Sequence, residues 1–368
     1  MPTLKIVPIS IMIKPQALDT QTRSDFMNIG NQIKALRMRK GVTQEAIAQH
    51  FNISAQAVSK WECGQSVPDI GMLPGLSAYF GVTIDELFAL SDETRIERIQ
   101  NMLWDVRFLN PADVENERLF LLEKARRERK NGDPLCILAQ LEMHLAEEHS
   151  ARAQEYALEL LKRENGVTMG CYYLGKSMHG VHVDPRHNNH NALISYYKEC
   201  LEKYPDKRMT YGHLISQLID DHRLAEAQRY CDEMEKVFPD DHFTTVHKIK
   251  VAIAKGDLKA AQEMMQALNE KYPEDWSIQH WIGDLLTLAG EYAAAKAHYR
   301  RSIELLPTPR YVDPLDSLAQ CCEMDGEIEG AIATRQCELE VSEKDWDCTT
   351  GEEIDYIHRE IARLEKLL

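Results

Sequence analysis

The chain has 368 residues, 44% of them hydrophobic and 28% charged, with only 18 Gly and 14 Pro; this predicts roughly two soluble globular domains and excludes disordered, collagen-like and membrane-spanning chains. With 43 basic against 59 acidic residues the net charge is −16, which excludes a protein that coats nucleic acid or anionic membrane with its whole surface, so any basic site must be local. Nine Cys, an odd number without a C-x-x-C pair, fit neither a disulfide scaffold nor a zinc ribbon and predict a reducing, cytoplasmic setting.

Residues 1–26 read differently from all that follows. Leu4 to Lys14 (LKIVPISIMIK) is apolar but broken by Pro8, and the polar stretch to Phe26 has no periodicity. No small-residue cleavage pattern follows, so a secretory leader is not indicated. This segment is expected to be an arm without an assigned role, ahead of a first helix that opens at Met27.

From Ile29 to Leu90 the punctuation predicts five short helices. Ile29 to Lys40 carries Ile33 and Leu36 and stops at Gly41, a residue suited to a left-handed helix end. Thr43 caps Gln44 to Phe51, and after a tight turn at Asn52-Ile53, Ser54 caps Ala55 to Glu62. A fourth helix starts near Pro68-Asp69 and ends at Gly81; Thr83 caps a fifth over 84–90. Two helices joined by so short a turn, with Ala48, Phe51, Ile53, Val58 and Trp61 available for one small core, form a helix-turn-helix pattern.

The segment QIKALRMRKGVTQEAIAQHFNISAQAVSKWECGQSVPDIGMLPGLSAYFGVTIDELF resembles the phage-repressor type of helix-turn-helix, the Cro or xenobiotic-response-element family. The G-x-T-Q-E start of the second helix, the V-S-K-W-E-x-G end of the third, the P-D turn and the G-V-T-I-D-E-L fifth helix all agree with it. The resemblance implies a five-helix, lambda-repressor-like DNA-binding domain over residues 27–90, with Ala55 to Trp61 as the recognition helix in the major groove. It further implies that Ala55, Gln56 and Lys60 face base edges, that Gln44, Ser54 and Ser59 lie near phosphates, and that Arg37 and Glu62 form a structural ion pair between the first and third helices. Side-chain chemistry is consistent with this, because Gln pairs with adenine N6/N7 and Lys with guanine O6/N7, whereas Ala55 offers only a methyl contact. The implied partner is double-stranded DNA with an inverted-repeat operator bound by a homodimer, since one short helix reads few base pairs and half-sites lie about one DNA turn apart.

Residues 27–90 balance five basic against five acidic residues and residues 1–26 contribute three against two, so residues 91–368 carry −17. DNA contact should therefore be confined to the small module, four of whose basic residues cluster in Lys34 to Lys40. Residues 91–132 read as two connector helices. The first, Asp92 to Phe108, places Ile96, Ile99, Leu103 and Val106 on one stripe; the second is capped by Asn110-Pro111 and ends in KARRERKNG. Glu123 and Glu128 interleave that run, which favours a solvated face over a DNA contact.

Beyond Asp133 the chain repeats. Pro205, Pro239, Pro273 and Pro307 recur every 34 residues, the length of a tetratricopeptide helix pair. Gly283, Leu286, Gly290, Ala295, Tyr299 and Pro307 fit that consensus in one unit, Gly256, Ala261 and Met265 in the unit before, and Leu224 and Ala227 in the one before that. Extended backwards to Ala153 and Leu174-Gly175 and forwards to Ala331, the frame predicts five to six repeats over residues 133–347, an all-α solenoid closed by an amphipathic capping helix at 352–368. Cys200, Cys231 and Cys322 are expected to be buried as small hydrophobes. His179, His182, His187, His190 and Asp184 are spaced too loosely for a defined metal geometry, so no metal and no cofactor is expected, and without a phosphate loop, nucleophile elbow or paired-carboxylate site the chain is not read as an enzyme.

The whole layout is similar to the peptide-pheromone-responsive regulators of Gram-positive bacteria. That resemblance implies a DNA-binding transcriptional regulator whose repeats bind a peptide or protein ligand, with inward groove positions at Tyr172, Tyr173, Lys176, His213, Ser216, His247, Lys250, His280, Trp281, Asp284, Asp316 and Gln320. The alternative is a repeat-based interaction scaffold or dimerisation domain with no small ligand, in which Tyr173 and Trp281 merely pack between repeats.

Overall fold

The computed structural model describes residues 29–88, 92–163, 167–180 and 189–368. The arm at 1–26 and the expected insertion residues His182, Asp184 and His187 lie outside them. Helices and turns account for all the regular structure of the described residues, and none of these helices is long and apolar enough to cross a membrane. The chain forms two compact units, one of residues up to Leu103 with Phe108–His149 and one of Trp104–Arg107 with Ser150–Leu368.

In the first unit, α1 (Ile29–Lys40), α2 (Gln44–His50), α3 (Ala55–Glu62), α4 (Leu73–Phe80) and α5 (Ile84–Phe88) enclose a core of Ile33, Leu36, Ile47, Val58, Trp61, Leu76 and Leu87. The Thr43 and Ser54 hydroxyls accept hydrogen bonds from the Ala46 and Ala57 N–H groups and so satisfy donors that the first helical turn leaves open. Gly41 takes φ +71° at the end of α1. The fourth helix does not begin at Pro68-Asp69: Asp69 accepts from the Gly71 N–H and caps a single 3₁₀ turn, Ile70–Met72, so that Pro74 falls in the first turn of α4, where a missing N–H costs nothing.

The connector is α6 (Asp92–Asp105) and α7 (Pro111–Arg127). Ile96, Ile99 and Leu103 do pack against Leu121 and Ile137, but Val106 lies past the end of α6 and is 40% exposed. Asn110 must be extended to cap α7 and precede Pro111, which forces the chain out of helix first. Glu117 is buried between Arg95 and Arg98, at 2.6 and 2.5 Å. Lys124, at the head of the basic run, is held by Asp92 and Glu128. Asp133–Leu161 is one continuous 29-residue helix, α8, and not the helix pair that Ala153 had suggested. No Gly or Pro lies between Leu135 and Leu161 to interrupt it.

In the second unit, α9 (Val167–Ser177) and α10 (Asn191–Lys203) precede four successive pairs: α11 (Arg208–Asp220) with α12 (Leu224–Val237), α13 (His242–Ala254) with α14 (Leu258–Lys271), α15 (Trp276–Leu288) with α16 (Tyr292–Leu305), and α17 (Asp313–Met324) with α18 (Ile328–Trp346). Ala227, Ala261 and Ala295, one repeat apart, are each buried where paired helices approach closely. Gly283 is required by packing: a Cβ there would lie 2.5 Å from the Tyr299 ring. The capping helix α19 (Glu352–Leu364) buries Ile354, Ile357 and Leu364, covering an end that a solenoid would otherwise expose. Cys231 and Cys322 are buried, but Cys200 is exposed, because the core of α10 is formed by Ile194 and Leu201, about 100° or more away round the helix.

Candidate nucleic-acid interface

In α3 the apolar side chains of Val58 and Trp61 point into the core, which leaves Gln56 and Lys60, one turn apart, exposed side by side. Ala55 and Ser59 flank them, half-buried, and Ser54 is exposed with its Oγ lone pair engaged by Ala57, so its hydroxyl proton is free to donate. The patch is thus a strip of donors on a helix whose N-terminus carries partial positive charge.

The strip is braced from behind. Glu62, at the end of α3, is 5% exposed and accepts from Arg37 Nε at 2.6 Å and Nη2 at 3.0 Å, a two-pronged pair with α1. Arg37 Nη1 reaches the Val42 carbonyl at 3.0 Å, in the turn before α2. Gln44, the first residue of α2, donates to Glu62 Oε2 at 2.8 Å. Burial opposes the charge on Glu62, yet the hydrogen bonds from Arg37 and Gln44 outweigh it and hold the carboxyl below its ordinary value. The hydrogen bond to Glu62 raises Arg37 above its own. One buried carboxylate therefore ties three helices together, and Gln44, assigned by resemblance to a phosphate contact, has already committed an amide N–H within the protein. Its half-buried side chain retains one further N–H.

The Lys34 to Lys40 cluster is dispersed by the fold. Arg37 is in the pair just described, and the Lys40 ammonium lies 4.0 Å above the Tyr79 ring and donates to the Tyr79 carbonyl. Lys34 and Arg39 remain exposed. Tyr79 itself, in contact with His50 and Phe51 at 4.6 and 5.6 Å, was not singled out by sequence reasoning; its place on the inner side of α4 near Gly81 is the only hint.

In the second unit the expected groove positions divide. Tyr172 and Tyr173 are exposed on α9, edge to face at 5.1 Å, with Lys176 beside them. His213 is exposed and stacks on Tyr197 at 6.0 Å. His247 is only 4% exposed and donates from Nδ1 to the Phe243 carbonyl; burial lowers its pKa to about 4 and keeps it neutral, so it belongs to the helix packing and not to a ligand surface. Trp281 is half-buried against His242 and Phe243. His280 Nε2 is 2.9 Å from Ser317 Oγ and 3.7 Å from Asp284. Both partners share one ring nitrogen, so no relay of the kind that activates a serine exists. Gln320 donates to Asp316, and Asp316 pairs at 2.5 Å with Arg335. Sequence reasoning missed Arg335 and Glu338, 2.7 Å apart and both buried. The signal was present: Arg335 occupies the repeat position filled by Cys231, Met265 and Tyr299 in the preceding units. Among the described residues no group of three or more His, Cys, Asp or Glu could hold a metal ion.

Comparison with known proteins places a helix-turn-helix family model on residues 33–87. The HTH-type transcriptional activator BcrR of Enterococcus faecalis is 35% identical over 75 residues, 20% of this chain and 37% of the relative, so the chain spans little more than a third of the curated protein that it matches. Among solved structures, a tetratricopeptide repeat protein from Parabacteroides merdae has a TM-score of 0.38 at 14% identity, covering 74% of this chain and 98% of that one. PlcR of Bacillus thuringiensis, solved with the peptide PapR7 and DNA, has a TM-score of 0.23 at 13% identity over 92% of this chain and 99% of that one. Residues 33–87 are a helix-turn-helix domain of the xenobiotic-response-element type, and the helix pairs at 34-residue spacing are of the tetratricopeptide kind.

Proposed function

We propose that this chain is a sequence-specific transcriptional regulator that reads an inverted-repeat operator as a homodimer and whose repeats bind an extended peptide that modulates operator binding. The observation that carries the DNA-binding part is the exposed Gln56/Lys60 strip on a helix locked to α1 and α2 by the buried Glu62. A base reader must hold donors in fixed positions, and an exposed pair on a braced helix meets that requirement. The −17 carried by residues 91–368 supports confining the contact to this module, since an acidic body is repelled by phosphates.

Capture of fragmented chromosomal DNA by the purified full chain, followed by sequencing, tests the reading: one enriched motif with two-fold symmetry is expected, and uniform recovery of all fragments contradicts it. Light scattering on the complex should give two chains per operator; one chain, free and bound, ends the dimer proposal. For the ligand part, linkage requires that a peptide which changes operator affinity be bound with an affinity changed by the same factor when operator is present. A peptide that binds the repeats and leaves DNA affinity unaltered makes them a scaffold instead, the reading that the half-buried Trp281 favours.

A further inference from the structure

One inward position per repeat is filled by Lys176, Ser216, Lys250, Asp284 and Gln320 in turn. Charge along this row is ordered: basic toward α9 and acidic toward α15. The third and fourth members, Lys250 and Asp284 on adjacent first helices, are opposite charges that form no ion pair. Lys250 has no hydrogen bond or ion pair among the described residues, although it is only partly exposed; burial lowers its pKa, opposed by the more distant charges of Asp284 and Asp220. Asp284, its side chain 33% exposed, accepts from the Tyr299 hydroxyl at 2.9 Å and has no Lys or Arg within 4 Å among the described residues. Tyr299 is itself fully buried and also bonded to Thr287, so the carboxylate is held in place from below, with the His280 ring at 3.7 Å as its nearest side-chain base and no Lys or Arg in contact among the described residues. Burial raises the Asp284 carboxyl, against the lowering effects of His280, the Tyr299 hydrogen bond and Lys250, and Asp313 at the start of α17 adds a smaller raising effect. Asp316, the other inward acid of α17, is already neutralised by Arg335. A partly desolvated cation and a partly desolvated anion left apart are unfavourable in the free protein, and a ligand that brings the two opposite charges relieves both.

We infer that the groove binds its peptide in one direction, with a ligand cation on Asp284 and a ligand carboxylate on Lys250, so that the recognised chemistry is a cationic group about three residues from an acidic one. The spacing follows from adjacent packed helices being about 10 Å apart and an extended chain rising about 3.3 Å per residue. The cation can be an amino-terminal ammonium or a Lys or Arg side chain. This inference rests on the peptide reading above and adds to it the class and direction of the ligand.

The test uses the full chain and three synthetic pools of random octapeptides, with retained peptides identified by mass spectrometry: free amino termini with Lys and Arg allowed, acetylated with Lys and Arg allowed, and acetylated without Lys or Arg. The third pool is expected to be retained at least tenfold less than the first. Retention of the second pool assigns the cation to a side chain; its loss assigns it to the terminus. Asp284→Asn should abolish the difference between pools, and Lys250→Gln should abolish enrichment of Asp and Glu, with unchanged circular-dichroism melts in both variants. The double change Lys250→Asp with Asp284→Lys should reverse the order of charges in the peptides recovered. Equal retention of all three pools, or selection that neither single variant alters, overturns the inference and leaves the peptide reading standing. No retention from any pool overturns the peptide reading, and this inference with it.

Discussion

The recognition helix and the repeat groove both present polar side chains to solvent, but they differ in what stands behind them. Under α3 the buried charge is matched: Glu62 has Arg37 and Gln44, and the lock is complete without the exposed Gln56 and Lys60, which have no side-chain partner among the described residues. In the groove two charges are left without a direct partner of opposite charge, Lys250 and Asp284 on neighbouring helices, while Asp316 is paired with Arg335 and the satisfied His247 and Tyr299 are inside. A surface that reads a rigid duplex is prepared in advance. A surface for a flexible ligand keeps part of its electrostatic pairing for the complex.

The largest effect should come from removing the lock. Glu62→Ala leaves the Arg37 guanidinium and the Gln44 amide without their acceptor, and is expected to destabilise the first unit by roughly 3 kcal/mol and to abolish operator binding; a urea midpoint within error of the parent would show that the pair contributes nothing.

Acid should separate the two regions. His247 is neutral when folded, with a pKa of about 4 against an ordinary 6.5, so between these values the unfolded chain binds the extra proton and the stability of the repeats falls as pH drops from 6.5 to 4. The full loss approaches roughly 3 kcal/mol, at about 1.4 kcal/mol per pKa unit. Glu62 has the same sign of proton linkage, since its folded pKa is also lowered, but a more acidic window. Its carboxyl is held below 4.5, so its contribution is complete above that value and is lost only at lower pH. The difference between the urea midpoints of the parent and of His247→Gln should be constant above pH 6.5 and shift in favour of the variant as pH falls from 6.5 to 4; curves that stay parallel over that range would remove His247 from the account.

Smaller effects belong to the reading face. Gln56→Ala and Lys60→Ala should leave the fold intact and each weaken the specific operator by ~1–3 kcal/mol, or ~5- to 150-fold, with relaxed preference at one base pair. Equal losses on operator and on random DNA in gel shifts would refute base reading. Gln44→Ala should weaken all sequences alike. Ser54→Ala, which removes the cap of α3, should lower stability by about 1 kcal/mol, measured as a shift in thermal midpoint without change in sequence preference.

Much of the candidate interface was legible in the sequence. Gln56 and Lys60 could be placed on one face because Val58 and Trp61 fix the phase of a short helix, and Arg37 and Glu62 could be paired because the family resemblance fixes their spacing. Lys40 could not be placed, since its ammonium is taken by Tyr79, 39 residues away. Nor could the burial of His247, which depends on Phe243 and on the approach of Gly212 from the neighbouring helix, where a Cβ would lie 2.9 Å from its Nε2. Val106 and Cys200 were assigned inward by periodicity alone, which does not register that α6 stops at Asp105 or which side of α10 the next repeat covers.

What the sequence by itself determined is what repeats locally or is dictated by the backbone: helix ends at Gly41, Thr43 and Ser54, the 34-residue recurrence of Pro and Ala, and the confinement of excess acid to residues 91–368. Only the tertiary structure decided which charges are neutralised. Glu62 and Asp316 each find an arginine, whereas among the described residues Asp284 has no Lys or Arg and Lys250 no carboxylate within 4 Å, and these outcomes depend on distances of a few ångströms between helices remote in the chain. The interaction of two charges changes several-fold over such distances and with burial, whereas residue type and spacing along the chain do not register either.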